Sequence, residues 1–190
     1  RTIKSLQRIN EGKNWDKFGY SEEGGGCGAS MRTMPIGLFY YGEENRRNLM
    51  EISIQSSRVT HNNAIGYLGG YASALFTAFA IEKINPEKWI FKLVEYLKSD
   101  EIKFFIKDIV CKEFPEDYEK HLQDLINFFR LCDVYIETKF IDGIYKDNSK
   151  DIFMRLFDSR SRFYYNNFST KGNFFPGSNG FDSVIIAYDC

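Results

Sequence analysis

The hydrophobic positions of this 190-residue chain follow a helical repeat over most of its length. From Ala29 onward, apolar residues recur mostly three or four positions apart, and the alternation expected of half-buried strands is scarce. The pattern predicts an all-α fold.

The repeats also place the predicted helices approximately. They cover residues 28–40, 43–60, 63–83, 86–97, 115–129 and 149–165. The first includes Met31, Met34 and Leu38, with a distortion expected at Pro35, and the second is expected to turn Leu49, Ile52 and Ile54 inward. Residues 139–150 and 169–179 are predicted as loops.

Residue types at the helix starts support these boundaries. Asn62 or Asn63 can cap the third helix, and Pro86, after Asn85, lies where a first-turn proline is tolerated. Pro115 is expected to start a long helix in the same way. The third helix carries a face of small residues, which favours close helix contacts at the centre of a bundle: Gly66, Gly69, Gly70, Ala72, Ala74 and Ala78.

Composition narrows the class of protein. The chain is 43% hydrophobic, enough for a core, and its 25 basic and 26 acidic residues give a net charge of -1, which argues against a nucleic-acid partner. The apolar stretch at residues 72–81 is shorter than the ~20 residues of a membrane span, so no membrane partner is expected. The dispersed Cys27, Cys111, Cys132 and Cys190 favour reduced thiols and a cytoplasmic location.

A glycine-rich segment is the first candidate for chemistry. Gly24, Gly25, Gly26 and Gly28 precede the first predicted helix, and free amides at a helix start can bind a pyrophosphate. A purely structural turn is the alternative. The segment lacks a Gly-Lys-Ser/Thr ending and a preceding strand, which excludes the common nucleotide-binding loops.

A polar cluster at residues 57–63 is the second candidate. His61 could hydrogen-bond a ligand, or Thr60 and His61 could simply satisfy the carbonyls at a helix end. The other histidine, His121, lies among Glu119, Lys120 and Gln123 and is predicted to be on the surface.

Three segments resemble motifs of one family. Residues 25–38, GGCGASMRTMPIGL, are similar to the glycine-rich, Met-Arg-bearing motif of ADP-ribosylarginine hydrolases, members of the ADP-ribosylglycohydrolase family. Residues 57–61, 66–69 and 72–78 resemble the next motif at the same separation, and residues 177–182 with 186–189 resemble a third.

The resemblance implies a fold and an activity. The family fold is an orthogonal all-α bundle, of which residues 1–190 would be the central part of a single domain. The implied reaction is hydrolysis of the N-glycosidic bond of ADP-ribosylarginine, which releases ADP-ribose and restores arginine on proteins. Two Mg²⁺ ions would activate the water. The complete protein is expected to be a monomer.

The metal ligands of that family do not occur in this chain. The family takes them from a Ser-Asp-Asp-Thr-like stretch and an Asp-x-Asp-Ser/Thr stretch, and this sequence has no Asp-Asp and no Asp-x-Asp. We expect a domain incomplete at both ends, with no catalytic or metal-binding residue of its own. Two alternatives stay open: an inactive relative that binds protein partners, and a plain helical interaction module.

The family's ADP-ribose contacts carry over by resemblance alone. They fall on Gly25, Val59, Thr60, His61, Gly172, Gly180 and Phe181. The family reads Gly-His-Asp where this chain has Gly180, Phe181 and Asp182, so a polar contact would be lost or replaced by stacking there.

Overall fold

The structure is a computed structural model that describes residues 2–145, 157–168 and 176–189. Regular structure in these ranges is almost entirely helical, which confirms the predicted all-α class. The helices are α1 (Thr2–Asn10), α2 (Met34–Phe39), α3 (Arg46–Arg58), α4 (Ala64–Ile81), α5 (Trp89–Lys98), α6 (Asp100–Phe105), α7 (Tyr118–Lys139), α8 (Phe157–Phe168) and α9 (Gly180–Asp189).

Short helical turns join several of these elements. The 3-10 turns are Trp15–Lys17, Glu22–Gly25, Glu43–Asn45, Pro86–Lys88 and Pro115–Asp117, and a π-helical turn, Ile106–Val110, follows α6. Pro86 and Pro115 therefore begin 3-10 turns that lead directly into α5 and α7, close to the predicted starts.

Helix α4 is the centre of the bundle. It contacts α2, α3, α7 and α9, and 72% of its residues are buried. Its length and apolar composition would also allow it to cross a membrane, but this burial is that of a core helix. Its start is as predicted, because the Asn63 side chain accepts a hydrogen bond from the amide of Ile65 at 2.9 Å.

The small residues of α4 let its neighbours approach closely. A Cβ added at Gly69 would lie 2.4 Å from the carbonyl oxygen of Gly180 in α9. A Cβ at Gly70 would lie 2.2 Å from the hydroxyl oxygen of Ser57 in α3. The predicted face of small residues is therefore a packing surface for two helices.

The predicted helix at residues 28–40 is wrong in its first half. Residues 27–32 form turns, and α2 begins only at Met34. The hydroxyl of Thr33 donates to the carbonyl of Gly70 at 2.7 Å, which fixes the preceding turn against α4. Met31, at 71% exposed, and Leu38, at 54% exposed, consequently face outward although their spacing matched a helix.

The other departures are smaller. Helix α3 begins at Arg46, and Ile52 is 37% exposed, so its predicted inward orientation is wrong, whereas Leu49 and Ile54 are buried. The predicted loop at 139–150 contains a hairpin of β1 (Phe140–Ile141) and β2 (Ile144–Tyr145). The predicted helix at 149–165 overlaps α8 from residue 157, and its earlier part lies outside the described residues.

Candidate functional site

The glycine-rich turn and the third segment lie side by side. Gly26 forms an antiparallel bridge with Asn179, and the amide of Cys27 donates to the carbonyl of Ser178 at 3.0 Å. The two segments are some 150 positions apart in the sequence, and α4 and α9 bring them together. The backbones of the two segments are therefore adjacent and contribute to one surface.

The turn does not have the helix-start geometry that the sequence predicted. Gly25 ends a 3-10 turn, Gly26 has a φ of -72°, and the next helix begins at Met34. The glycine at position 25 is not required by a left-handed backbone either. A Cβ there would lie 3.4 Å from the Asn63 side chain and 3.6 Å from Ile65, which are ordinary contacts.

Gly28, rather than Gly25, is the glycine in contact with the polar cluster. A Cβ at Gly28 would lie 3.0 Å from both Cε1 and Nε2 of His61. His61 is only 4% exposed, so its imidazole lies under the turn with little of its edge accessible. The absence of a side chain at position 28 makes room for this ring.

Thr60 contacts the opposite side of the His61 ring, and Arg32 contacts Thr60. The Thr60 hydroxyl lies 2.7 Å from Nδ1 of His61 and accepts a hydrogen bond from Nη2 of Arg32 at 2.5 Å. Arg32 also donates to the carbonyls of Ser56 and Ser57, each at 3.3 Å, and so satisfies the end of α3. The Met-Arg motif thus contacts the second motif directly.

Val59 lies apart from this cluster. It lines a groove between α3 and α6, of about 820 Å³, with Phe104, Phe105 and Ile109 among the other residues. The resemblance implied that Val59, Thr60 and His61 contact one ligand. In the structure Thr60 and His61 lie within hydrogen-bond distance of each other, and Val59 lines the separate groove.

Gly180 and Phe181 have packing roles. A Cβ at Gly180 would lie 2.1 Å from the carbonyl oxygen of Ile65, so this glycine allows α9 to meet the start of α4. The Phe181 ring is 2% exposed and lies edge to face with Phe128 at 6.3 Å between centroids. The resemblance left two outcomes open at this position, a lost polar contact or its replacement by stacking on the ligand, and the described ring packs on Phe128 in the core.

Asp182 is a buried carboxylate that sequence reasoning left out of the site. Its side chain accepts hydrogen bonds from the amides of Gly177, at 2.9 Å, and Asn179, at 2.8 Å, and so holds the third segment at the start of α9. Burial raises the pKa of Asp182 to about 6, and the backbone hydrogen bonds oppose that rise. The Asn-Gly-Phe-Asp spacing of a helix N-terminus was the available signal.

Two asparagines fasten the segment before the glycine turn. Asn62 donates to the carbonyls of Phe18, at 2.6 Å, and Gly19, at 3.0 Å. Asn63 donates to the hydroxyl of Tyr20 at 2.9 Å. The buried Arg58 in turn donates to the Asn62 side chain at 2.9 Å. These anchors were not predicted, because the sequence does not show what an asparagine side chain contacts.

The prediction that His121 is on the surface is wrong. It is 1% exposed, its Nδ1 lies 3.2 Å from the Tyr67 hydroxyl, and the Tyr20 ring packs edge-on at 5.0 Å. Burial lowers the pKa of His121 to about 4, so the imidazole is neutral at pH 7. The polar and charged residues next to it in the sequence suggested an exposed position, whereas its own side chain faces α4.

Potential metal-ligating side chains are not clustered in the part of the chain that the structure describes. In residues 2–145, 157–168 and 176–189, no three His, Cys, Asp or Glu side chains are grouped so as to hold an ion. Gly172, the remaining predicted contact, lies outside these ranges. A largely apolar cavity of about 550 Å³ opens beside the turn, between Cys27, Trp89 and Tyr188.

Comparisons with known proteins agree with the resemblance of the motifs. The model of the family described as ADP-ribosylglycohydrolase matches residues 1–143. The chain is 39% identical over 189 residues to "Putative ADP-ribosyl glycohydrolase L444" of Acanthamoeba polyphaga mimivirus, which covers 99% of this chain and 35% of that protein.

A second relative comes from a cellular organism. The chain is 34% identical over 188 residues to "ADP-ribosylhydrolase ARH1" of Dictyostelium discoideum, which covers 92% of this chain and 46% of that protein. The chain thus spans less than half the length of either relative.

Proposed function

This chain belongs to the ADP-ribosylglycohydrolase family, and from that membership we propose that it supplies ADP-ribose-binding elements for the hydrolysis of ADP-ribosylarginine. The bond cleaved would be the N-glycosidic bond between the ribose and a guanidinium nitrogen. The products would be ADP-ribose and unmodified arginine on a protein. The domain would comprise residues 1–190 as its central part.

The meeting of the three motif segments is the observation that carries this proposal. The bridge between Gly26 and Asn179 and the contact of Gly28 with His61 bring together stretches that are distant in the sequence. A dinucleotide-sized ligand is held by a few polar groups that converge from different elements. Segments that resemble the motifs of one family and also meet in space support a shared binding role.

The residues of the three segments would have different roles in binding. Backbone groups of residues 25–28 and 177–179 would approach the pyrophosphate, since glycines allow close contact there. His61 would contribute one hydrogen bond at the glycine turn, and Thr60 would orient its ring. Gly180 and Phe181 would support the site through the packing of α9 against α4 rather than by direct contact.

The family is metal-dependent, and we propose Mg²⁺ as the ion. When bound, such ions lower the pKa of a coordinated water and make hydroxide available near neutral pH. The described residues of this chain do not fit a magnesium site, because no carboxylate cluster occurs among them. We therefore assign no step of the reaction to a residue of this chain.

A second candidate function is that of an inactive ADP-ribose-binding or interaction module. It is favoured by the sequence, which contains neither Asp-Asp nor Asp-x-Asp. The two proposals differ in one measurement, the release of ADP-ribose from modified arginine by a chain extended to the length of the relatives. Release supports the hydrolase, and binding without release supports the module.

The setting of the protein is also a proposal. A cytoplasmic location and a monomeric complete protein remain consistent with the dispersed cysteines and the near-neutral charge. The partners would be ADP-ribosylated proteins and free ADP-ribose, and no nucleic acid or membrane partner is proposed.

Peptide binding tests the substrate class. The purified chain is titrated with three peptides of one sequence, carrying ADP-ribosylarginine, ADP-ribosylserine or no modification. We expect binding of the modified peptides only, with preference for arginine. Equal affinity for all three would contradict an ADP-ribose site, and equal affinity for the two modified peptides would remove arginine from the proposal.

A further inference from the structure

Arg32 makes only neutral contacts. Its guanidinium donates to the carbonyls of Gly28, Ser56 and Ser57 and to the Thr60 hydroxyl. No carboxylate pairs with it in the described part of the chain. A guanidinium can only donate hydrogen bonds, so the direction of its contact with Thr60 is fixed.

This direction determines what the Thr60 hydroxyl can do. One lone pair of its oxygen accepts from Nη2 of Arg32 at 2.5 Å, and its hydrogen is left for another acceptor. Among the described residues the acceptor at hand is Nδ1 of His61, at 2.7 Å. A hydrogen bond from Nδ1–H to the second lone pair of this oxygen would leave the hydroxyl hydrogen to solvent. Donation from the hydroxyl to Nδ1 gives that hydrogen an acceptor in the protein, and this arrangement places the proton of the neutral imidazole on Nε2.

The protonated nitrogen lies at the glycine turn. A Cβ at Gly28 would be 3.0 Å from Nε2 of His61, which places this edge of the ring directly under the turn. The opposite tautomer would present an acceptor there and would meet the oxygens of a phosphate or a sugar unfavourably.

We propose that Arg32 is a positioning residue that acts through Thr60 to hold His61 as its Nε2–H tautomer, which makes the imidazole a hydrogen-bond donor at the glycine turn. The ligand group that it serves is an oxygen acceptor, of the kind that phosphates and ribose hydroxyls present. The use of this donor in binding rests on the proposed function, whereas the tautomer is a property of the free protein.

The tautomer can be read by two-bond proton–nitrogen correlation spectra of the 190-residue chain labelled with ¹⁵N-histidine. The chain contains two histidines, so two imidazoles are observed. Spectra are recorded about two pH units above the ordinary imidazole pKa, where the neutral forms dominate. His121 is an internal reference, because its Nδ1 contacts Tyr67 rather than this cluster.

Four variants isolate the effect. Arg32→Met removes the donors and keeps most of the apolar stem, and Thr60→Val removes the hydroxyl at nearly constant volume. Thr60→Ser keeps the hydroxyl and tests rescue. Arg47→Met is the matched control, since Arg47 is an exposed arginine paired with Glu51 at 2.9 Å.

We expect the Nε2–H form of His61 in the unmodified chain, in Thr60→Ser and in Arg47→Met. In Arg32→Met and Thr60→Val the ratio of the tautomers should shift by about three- to tenfold toward Nδ1–H, the worth of one neutral hydrogen bond. The His121 signals should not move. An Nδ1–H form in the unmodified chain, or an unchanged ratio in both variants, would overturn the proposal.

Titration of the same proteins with ADP-ribose separates this inference from the proposed function. A shifted tautomer with no ADP-ribose binding by any protein would contradict the proposed function and leave the positioning role of Arg32 supported. Weaker binding by Arg32→Met with an unshifted tautomer would mean that Arg32 contacts the ligand itself, which overturns the positioning role.

Discussion

His61 and Gly28 define the candidate site at the scale of single residues. The imidazole is buried beneath the turn, and the Gly28 position faces its Cε1 and Nε2 atoms at 3.0 Å. The resemblance assigned an ADP-ribose contact to Gly25, whereas the glycine that faces the imidazole is Gly28. Sequence cannot tell neighbouring glycines apart in this respect, because the difference lies in which side chain faces each one.

The first prediction compares the two glycines. Gly28→Ala should crowd the buried imidazole and lower the free energy of unfolding by about 1–3 kcal/mol. Gly25→Ala, whose Cβ would meet only ordinary contacts, is the matched control and should cost less. Urea unfolding measures both. A larger loss for Gly25→Ala than for Gly28→Ala would refute the assignment of Gly28 as the ring's neighbour.

Phe181 provides the second prediction. Phe181→His restores the residue of the family pattern, and from sequence alone it should keep or improve ligand affinity if the position faces the ligand. The buried ring leads us to expect instead a loss of about 1–3 kcal/mol of stability, because an imidazole would lose water without a defined partner. Phe181→Leu, which stays apolar, should be milder. Unchanged stability together with tighter ADP-ribose binding in Phe181→His would contradict the core position.

Helix α9 and the segment before it illustrate the scale of elements. Asp182 lies at the start of α9, and its side chain accepts the amides of Gly177 and Asn179. The long, regular helices α4 and α7 could be predicted from apolar spacing and from their Asn63 and Pro115 starts. The turn at residues 27–32 was missed, since Met31 and Met34 are spaced as in a helix. Pro35 in the first turn of α2 was the available signal for a later start, and the contact of Thr33 with α4 that holds the turn could not be seen in the sequence.

The third prediction concerns pH and Asp182. Its folded-state pKa of about 6 is above its unfolded value, so the folded chain binds this proton more tightly and loses stability as pH rises from about 4 to 6. Asp182→Asn cannot ionise and lacks this loss, although it leaves one amide without a carboxylate partner. The stability of the unmodified chain relative to Asp182→Asn should therefore fall across this window. Denaturant unfolding at pH 4, 5, 6 and 7 checks this, and a relative gain with rising pH would contradict it.

An exposed apolar surface is the main feature at the scale of the whole molecule. Met31, Met34, Leu38 and Phe39 are between 49% and 74% exposed on and just before α2. Such a surface favours association. The helical spacing did not reveal this surface, because it depends on the outward orientation of α2.

The fourth prediction concerns this surface. The chain should self-associate with increasing concentration, and replacing Leu38 and Phe39 by serine should reduce that tendency. Replacing Phe104, which is 60% exposed beside the α3–α6 groove, is a control on another face. Sedimentation velocity over a range of concentrations measures the association of the unmodified chain, the Leu38 and Phe39 variant and the Phe104 control. An unmodified chain that stays monomeric over the whole concentration range would contradict the expectation.

The meeting of the three segments is also a property of the whole molecule. The order of the motifs could be read from the sequence, and their resemblance indicated a common ligand. The bridge from Gly26 to Asn179 could not be predicted from the sequence, because it depends on how closely α9 packs against α4 through Gly69 and Gly180. The central claim is that the surface formed in this way binds ADP-ribose.

Calorimetric titration of ADP-ribose into the unmodified chain, His61→Ala and Gln123→Ala tests that claim most directly. Gln123 is an exposed residue of α7 and serves as the control. We predict saturable binding by the unmodified chain and by Gln123→Ala, and a dissociation constant about three- to tenfold higher for His61→Ala, as expected for one neutral hydrogen bond. No binding by the unmodified chain, or equal affinity in all three proteins, would contradict the account.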